Sequence, residues 1–396
     1  MSQLKNNSVK VIPVFMIYIV MGFIDIVGVS TGYIKNDFGL EDKVAQFLPS
    51  MALIWFFLFS VPAGLLIERF GKKNLANIGM LLTGLSMIVP FVHYSFATML
   101  GAFVVLGIGN TIVQVAANPL LHDVVAKDKY SSYMSLSQFV KASSSLLGPV
   151  IAAFMAVRFG NWKLVFAVYA GVSFLTTMWL FLTPISEAKL EQKPATFRSC
   201  FSLLGNRAIL LLVIGIFMIV GAEVGMNSNI ANYLQNRFHL TLDNASLGIT
   251  LFFTAEMIGR FIGAILLRFI KTQNFFILSA ILATGGIVLL LFAPNIWIAR
   301  TAIFGVGLGA ANIFPMIFSL AIEKLPNRVN EISGLMIMAV AGGAFIPPLM
   351  GFVSSTFGVV KSFIVLLIVI LYLLIISLYM KSKSGNNSKI NSDESR

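Results

Sequence analysis

The sequence predicts an all-α membrane protein with twelve transmembrane helices, and three observations lead there. Of its 396 residues, 58% are hydrophobic and 11% charged, more apolar surface than one soluble core can bury and too little charge to cover it. Apolar windows of roughly 20 residues, enough for an α-helix to cross the hydrocarbon core of a bilayer, recur along the chain. The basic residues are not gathered in one place but alternate from loop to loop.

The first window, 11–34, is longer than the apolar core of a signal peptide, carries Asp25 and lacks a small-residue cleavage site, so it reads as a retained helix. The second, 44–67, leads into a loop of glycine, acid and bases, and the third is 75–94. The fourth, 96–124, carries amides at every fourth position, the fifth, 132–157, holds Lys141, and the sixth is 162–184. After a polar stretch come 208–236 with Glu223, 245–267 with Glu256 and Arg260, 274–293, 296–322, 329–355 and 360–380. In the tenth, Gly305, Gly307 and Gly309 superficially resemble a nucleotide loop, but no strand precedes them and close helix packing explains them.

Lysine and arginine fall nineteen on one side of this ladder and seven on the other, with Lys141 and Arg260 inside spans. The positive-inside rule therefore places both termini in the cytoplasm, as an even number of spans requires. Topology accounts for the net charge of +12 without nucleic acid. The single cysteine, Cys200, excludes an intrachain disulfide and metal-thiolate chemistry. His93, His122 and His239 lie near membrane edges and far apart in sequence, so no catalytic triad or metal site assembles and an intramembrane enzyme is not expected.

The only long internal polar stretch divides six spans from six. Residues 1–185 are expected to form an N-terminal six-helix bundle, 186–207 a cytoplasmic linker, 208–380 a C-terminal six-helix bundle and 381–396 a disordered cytoplasmic tail rich in Ser, Asn and Lys. Shifting the sequence by 198 positions brings Asp25 onto Glu223, Pro149 onto Pro347, Gly160 onto Gly358 and Lys163 onto Lys361. A shift of 199 brings Gly64, Arg69 and Lys72 onto Gly263, Arg268 and Lys271. Such matches point to duplicated, pseudo-symmetric halves, an arrangement that puts a substrate site at the membrane midplane between them.

The loop Gly64-Leu-Leu-Ile-Glu68-Arg69-Phe-Gly71-Lys72-Lys73 resembles the signature loop of the major facilitator superfamily, where glycine allows close helix approach and acid and base lock one state. Glu68 and Arg69 are gating candidates on that resemblance. Four further stretches, Gly107 to Pro119, Val220 to Gly225, Phe314 to Leu320 and Gly342 to Phe352, are similar to the fucose, galactose and glucose cation symporter family within it. The resemblance implies a major facilitator fold and import of a neutral hexose or deoxyhexose with a proton or sodium ion, with Asp25 matching the family's cation-coupling aspartate. Gln114 stands where the fucose branch has a second acid, so the glucose and galactose branch is the closer one. Lys141 departs from the family, which has a neutral amide three residues after Gln138.

Charges at mid-membrane cost about 2.5–3.5 kcal/mol on insertion scales, so Asp25, Lys141 and Glu223 should face a cavity or one another. All three are candidates for cation coupling. Lys141 has three open roles: pairing with Asp25 in place of a bound cation, release from that pair when a proton binds, or direct binding of an anionic substrate. Asn110, Gln114 and Asn118 form one polar stripe, suited to sugar hydroxyls or to a hydrogen-bonded seam between helices. Pro119, just beyond the stripe, removes a backbone hydrogen bond, which kinks the helix and frees a carbonyl. Gln138, Lys141 and Ser145 share a face of the fifth span, and Asn227, Asn312 and Phe314 are further substrate-binding candidates. Glu256 and Arg260, four apart, read as a structural or gating pair.

The leading function is a cation-coupled importer in a bacterial inner membrane, monomeric within the lipid bilayer, with a small-molecule substrate and no cofactor beyond the coupling ion. A proton-antiport exporter is the alternative, although Ile151, Ala152 and Ala153 after Gly148-Pro149 lack an antiporter's glycines. A non-transporting receptor would keep the same cavity.

Overall fold

The computed structural model describes residues 2–45, 47–187 and 196–393, and among them there is no strand. Among the described residues, twelve helices are long and apolar enough to cross a membrane: Lys10–Phe38, Phe47–Phe70, Lys72–Val92, Phe96–Val124, Lys127–Phe159 and Leu164–Leu182, then Arg207–Phe238, Asn244–Leu266, Thr272–Leu291, Ile296–Lys324, Pro326–Phe357 and Val359–Ser382. They are numbered here as spans one to twelve. The protein is thus an all-helical, multi-pass membrane protein.

Local chemistry sets many of the ends. Ser95 opens span 4 with a reciprocal capping box to Thr98, and the side-chain oxygens of Asn206 and Asn295 accept from the first-turn amides of spans 7 and 10. Gly160 and Gly358, which the repeat aligns, both have positive φ, 66° and 94°, and come just after the last residues of helical segments in spans 5 and 11. That backbone strains a residue with a β-carbon, which accounts for glycine at both places.

Contacts divide the chain into two compact units. The first comprises Met1–Tyr133, Ser137–Ser202 and Leu325–Met338, and the second Met134–Leu136, Leu203–Lys324 and Ala339–Arg396. In the first unit span 4 packs on spans 2 and 3, and span 6 covers span 3. The N-terminal half of span 11 belongs here because it lies against span 2: a β-carbon on Gly64 would come within 3.0 Å of the Asn330 carbonyl oxygen and 3.3 Å of Gly334 Cα. The close approach expected of Gly64 is present. In the second unit span 9 packs on spans 10 and 12, and span 7 contacts spans 8, 12 and the C-terminal half of span 11. Large apolar side chains such as Val157, 90% exposed, and Leu175, 68% exposed, cover the outside, as helices solvated by lipid require.

Of the two polar segments, one departs from expectation. Part of the expected linker, 188–195, lies outside the described residues; the remainder holds a short helix, Phe197–Ser202, and a tight turn, Leu203–Gly205. The tail expected to be disordered is helical as far as Asp393. No proline interrupts it, and extending a formed helix fixes one residue per hydrogen bond gained, which avoids the cost of a new nucleus.

Candidate functional site

Asp25 sits at a break in span 1, where Gly22–Asp25 winds as a tight 3-10 turn between two α-helical segments. Side chains from other spans take the carbonyls just before it. Asn110 donates to the Val20 and Met21 oxygens at 3.3 and 3.1 Å, and Ser144 donates to the Ile19 oxygen at 2.8 Å. Phe23, inside the turn, stacks on Tyr169 of span 6 with ring centres 3.8 Å apart. Span 5 comes so near that a β-carbon on Gly22 would lie 2.7 Å from the Lys141 carbonyl oxygen. The result is a cluster of oxygens around one hydroxyl: Ser145 Oγ is 2.5 Å from Asp25 Oδ2, 3.1 Å from the Lys141 oxygen and 3.4 Å from the Gly22 oxygen. Asp25 is exposed and the Lys141 side chain half-buried.

The stripe on span 4 divides its labour. Asn110 holds span 1, Gln114 donates to Asn110 Oδ1 at 3.0 Å, and Asn118 accepts from the Tyr18 hydroxyl at 2.9 Å. Asn110 and Asn118 are 0% and 1% exposed, so these two serve the helix seam that was the other reading of the stripe. The carbonyl freed by Pro119 is that of Val115, and Ser333 of span 11 donates to it at 2.7 Å. Gln138 is buried on span 5, where it was expected to share the face of Lys141.

In the second unit Glu223 lies within a continuous helix, Arg207–Phe238, with no break matching that in span 1. Arg260 Nη2 stands 3.6 Å from Glu223 Oε1 and 3.5 Å from Glu256 Oε2. The sequence pairs Arg260 with Glu256 by spacing, whereas the structure adds Glu223 to the group. Asn312 is 1% exposed and donates from Nδ2 to the Gly259 carbonyl at 2.7 Å, so it joins spans 8 and 10. Phe314 and Asn227 are half-buried, and the Phe314 ring lies 6.1 Å from that of Phe318.

At the loop after span 2, Glu68 and Arg69 are both exposed, with Arg69 over the Phe70 ring. The buried acid and base are others: Lys72 Nζ meets Asp123 Oδ2 at 2.6 Å, with side chains 4% and 2% exposed. Glu187 accepts from the backbone amides of Lys72 and Lys73 at 2.5 and 3.0 Å, capping the positive end of span 3. Arg328 pairs with Glu331, which also accepts from Ser199 at 2.7 Å. Burial pushes the nearby Cys200 thiol up to about 12, with the Glu331 charge adding to it. Sequence reasoning assigned Asp123 and Glu331 nothing; the signal available was an acid at the end of an apolar span.

A family model described as Major Facilitator Superfamily matches residues 13–346. The chain belongs to that superfamily. Within the superfamily it is 27% identical over 383 residues to a glucose/galactose transporter of Brucella abortus, covering 92% of each chain. It is 26% identical over 375 residues to a putative glucose/galactose transporter of Helicobacter pylori, covering 89% of this chain and 90% of the other. Its fold matches the crystal structure of the superfamily transporter FucP in the outward conformation with a TM-score of 0.80 at 19% identity, over 94% of this chain and 99% of that one. The proton:xylose symporter XylE bound to 6-bromo-6-deoxy-D-glucose matches with a TM-score of 0.75 at 15% identity, over 96% of both chains. These matches agree with the resemblance to the fucose, galactose and glucose family, and the names they carry are those of transporters, not enzymes.

Proposed function

We propose that the protein is a secondary active transporter that imports a small polyhydroxylated solute, a hexose or deoxyhexose, by alternating access coupled to a proton or sodium gradient. The observation that carries this reading is the oxygen cluster at the broken first span, in a chain related along nearly its whole length to glucose/galactose transporters. A carboxylate beside a hydroxyl and the Gly22 carbonyl of the helix break is suited to a proton or a hard monovalent cation, and Asp25 is the group that would hold it. Asn118 and Asn312 are engaged in packing; the amides that remain for sugar hydroxyls are buried Gln138 and Gln114, the latter with its Nε2 also donating to Asn110, in the first unit and Asn227 in the second, where Phe314 offers a ring to a sugar's C–H face. In this proposal the chain sits in a bacterial inner membrane with both termini cytoplasmic, as the loop-to-loop alternation of its basic residues suggests, and acts as a monomer in lipid without a prosthetic group or nucleic acid.

Uptake of labelled D-glucose and D-galactose into proteoliposomes under an imposed pH or sodium gradient tests this. Wild-type protein should accumulate one of them, and Asp25→Asn should retain exchange while losing accumulation. Absence of both uptake and exchange for every neutral hexose, under either gradient, would overturn it. Lys141 favours a second reading, an anionic sugar, because an ammonium stands half-buried where the family has an amide. A hexuronate transported by wild type and lost in Lys141→Asn would decide for that one.

A further inference from the structure

Tyr169 meets the oxygen cluster at Asp25 from two sides. Its ring, on span 6, stacks on Phe23 in the broken turn that carries Asp25, with centres 3.8 Å apart and planes 10° from parallel. Its hydroxyl reaches span 5, where a β-carbon on Gly148 would lie 2.7 Å from the phenol oxygen and 3.3 Å from Ile26 Cδ1. Glycine at 148 is what admits the hydroxyl between these helices. Tyr169 is 2% exposed, yet its oxygen has no hydrogen-bond partner among the described residues. A buried donor left unmatched costs free energy, so it calls for an acceptor close by.

Pro149 provides one. It lies inside the helix of span 5 and carries no N–H, so the Ser145 carbonyl loses the amide four residues on. Helix carbonyls point towards the residues three and four positions ahead, here Gly148 and Pro149, the stretch on which the phenol rests. Ser145 is also the residue whose side chain closes on Asp25, Oγ to Oδ2 at 2.5 Å. One serine thus offers a hydroxyl to the coupling carboxylate and a carbonyl to the unmatched phenol. Asn110 of span 4 holds the carbonyls just before the turn, and the titratable residues that meet the turn from neighbouring spans are Lys141, through its carbonyl, and Tyr169.

We propose that Tyr169 is a positioning residue for cation coupling that acts through Ser145: in the cation-loaded state its hydroxyl donates to the Ser145 carbonyl and draws the Ser145 side chain off Asp25. A hydrogen bond donated to a carboxylate favours the bare, charged form over the loaded one. In the arrangement seen here Ser145 makes that bond and the phenol makes none. Closing the phenol on the carbonyl shifts this turn of span 5 and releases Asp25 Oδ2 to the cation; when the cation leaves, Ser145 returns. The ring, stacked on Phe23, holds the broken turn in place throughout. The use of this switch in transport rests on the coupled-transporter reading, whereas the hydrogen bond itself needs no substrate.

The test is the cation concentration that half-saturates accumulation of D-glucose or D-galactose in proteoliposomes, with protons and sodium varied separately. Tyr169→Phe keeps the ring and removes the hydroxyl; it should raise that concentration about threefold, the worth of one hydrogen bond between membrane helices, with a smaller effect on the maximal rate. Pro149→Ala returns an N–H to the Ser145 carbonyl and should do the same, and the double variant should go no further than either. Unchanged half-saturation in Tyr169→Phe, or effects of the two variants that add, overturns the proposal. A second measurement needs no sugar: the full chain in lipid, labelled with carbon-13 at tyrosine Cζ, gives a resonance for Tyr169 that is identified by its loss in Tyr169→Phe. It should shift between pH 5.5 and 8.5, or on adding sodium, in the wild type and not in Pro149→Ala. A wild type without any such shift overturns the proposal even where a hexose is accumulated, and a protein that transports no hexose leaves the shift untouched, so the two readings fail separately.

Discussion

Spans 4 and 10 each contain a proline that strips a carbonyl of its helical partner, and the two units repair the loss differently. In the first unit a neutral hydroxyl, Ser333, answers Val115; in the second a guanidinium, Arg260, answers Ala311 while engaged with two carboxylates. The acids matched by the repeat diverge in the same sense. Asp25 is exposed at a break in its helix, whereas Glu223, 19% exposed in its side chain, sits in an unbroken one and is ion-paired. Duplication preserved positions and let the chemistry move: the first unit concentrates its titratable site at the broken helix, and the second places charge at the repair.

Removing the charged repair should cost most. Arg260→Met removes the cation that buried Glu256 shares with Glu223 and is expected to destabilise by about 3–5 kcal/mol, read as a lower midpoint in detergent-driven unfolding. A loss under about 1 kcal/mol would mean that the two repairs do not differ as described. Lys72→Met, which takes the ammonium away from buried Asp123, should cost about 3 kcal/mol in the same assay. Ser333→Ala removes one neutral hydrogen bond within the membrane and should cost roughly 0.6 kcal/mol; a value near that of Arg260→Met would erase the contrast. Asp25→Asn, at an exposed position, should shift stability by no more than about 0.5 kcal/mol while abolishing accumulation, which separates function from folding at that carboxylate.

The twelve spans were legible because lipid demands long apolar helices, and the duplication because aligned glycines, prolines and acids keep their spacing. Pro119's freed carbonyl could be foreseen, since the missing N–H is a property of the residue itself. Its partner could not, because Ser333 is 218 positions away from Val115. The break at Gly22–Asp25 was hidden for the same reason: it depends on Asn110 and Ser144, on other helices. Spacing showed Glu256 beside Arg260 but said nothing of Glu223, which only packing brings in. Glu68 and Arg69 drew attention as an adjacent acid and base, yet the buried pair is Lys72 with Asp123, whose partners approach through tertiary structure. The continued helix to Asp393 was missed because composition marks a polar segment without revealing whether a helix already running will stop.

Glu187 closes the N-terminus of span 3, and Lys73 reaches back from there to the Phe181 and Thr183 carbonyls at 2.9 and 2.8 Å. The chain leaving span 6 is thereby fastened before it departs. For anyone dividing this protein into two co-expressed fragments, those bonds set the position of the cut: a first fragment ending beyond Glu187 carries its own closure, and one ending at Leu182 exposes the amides of a neighbouring helix.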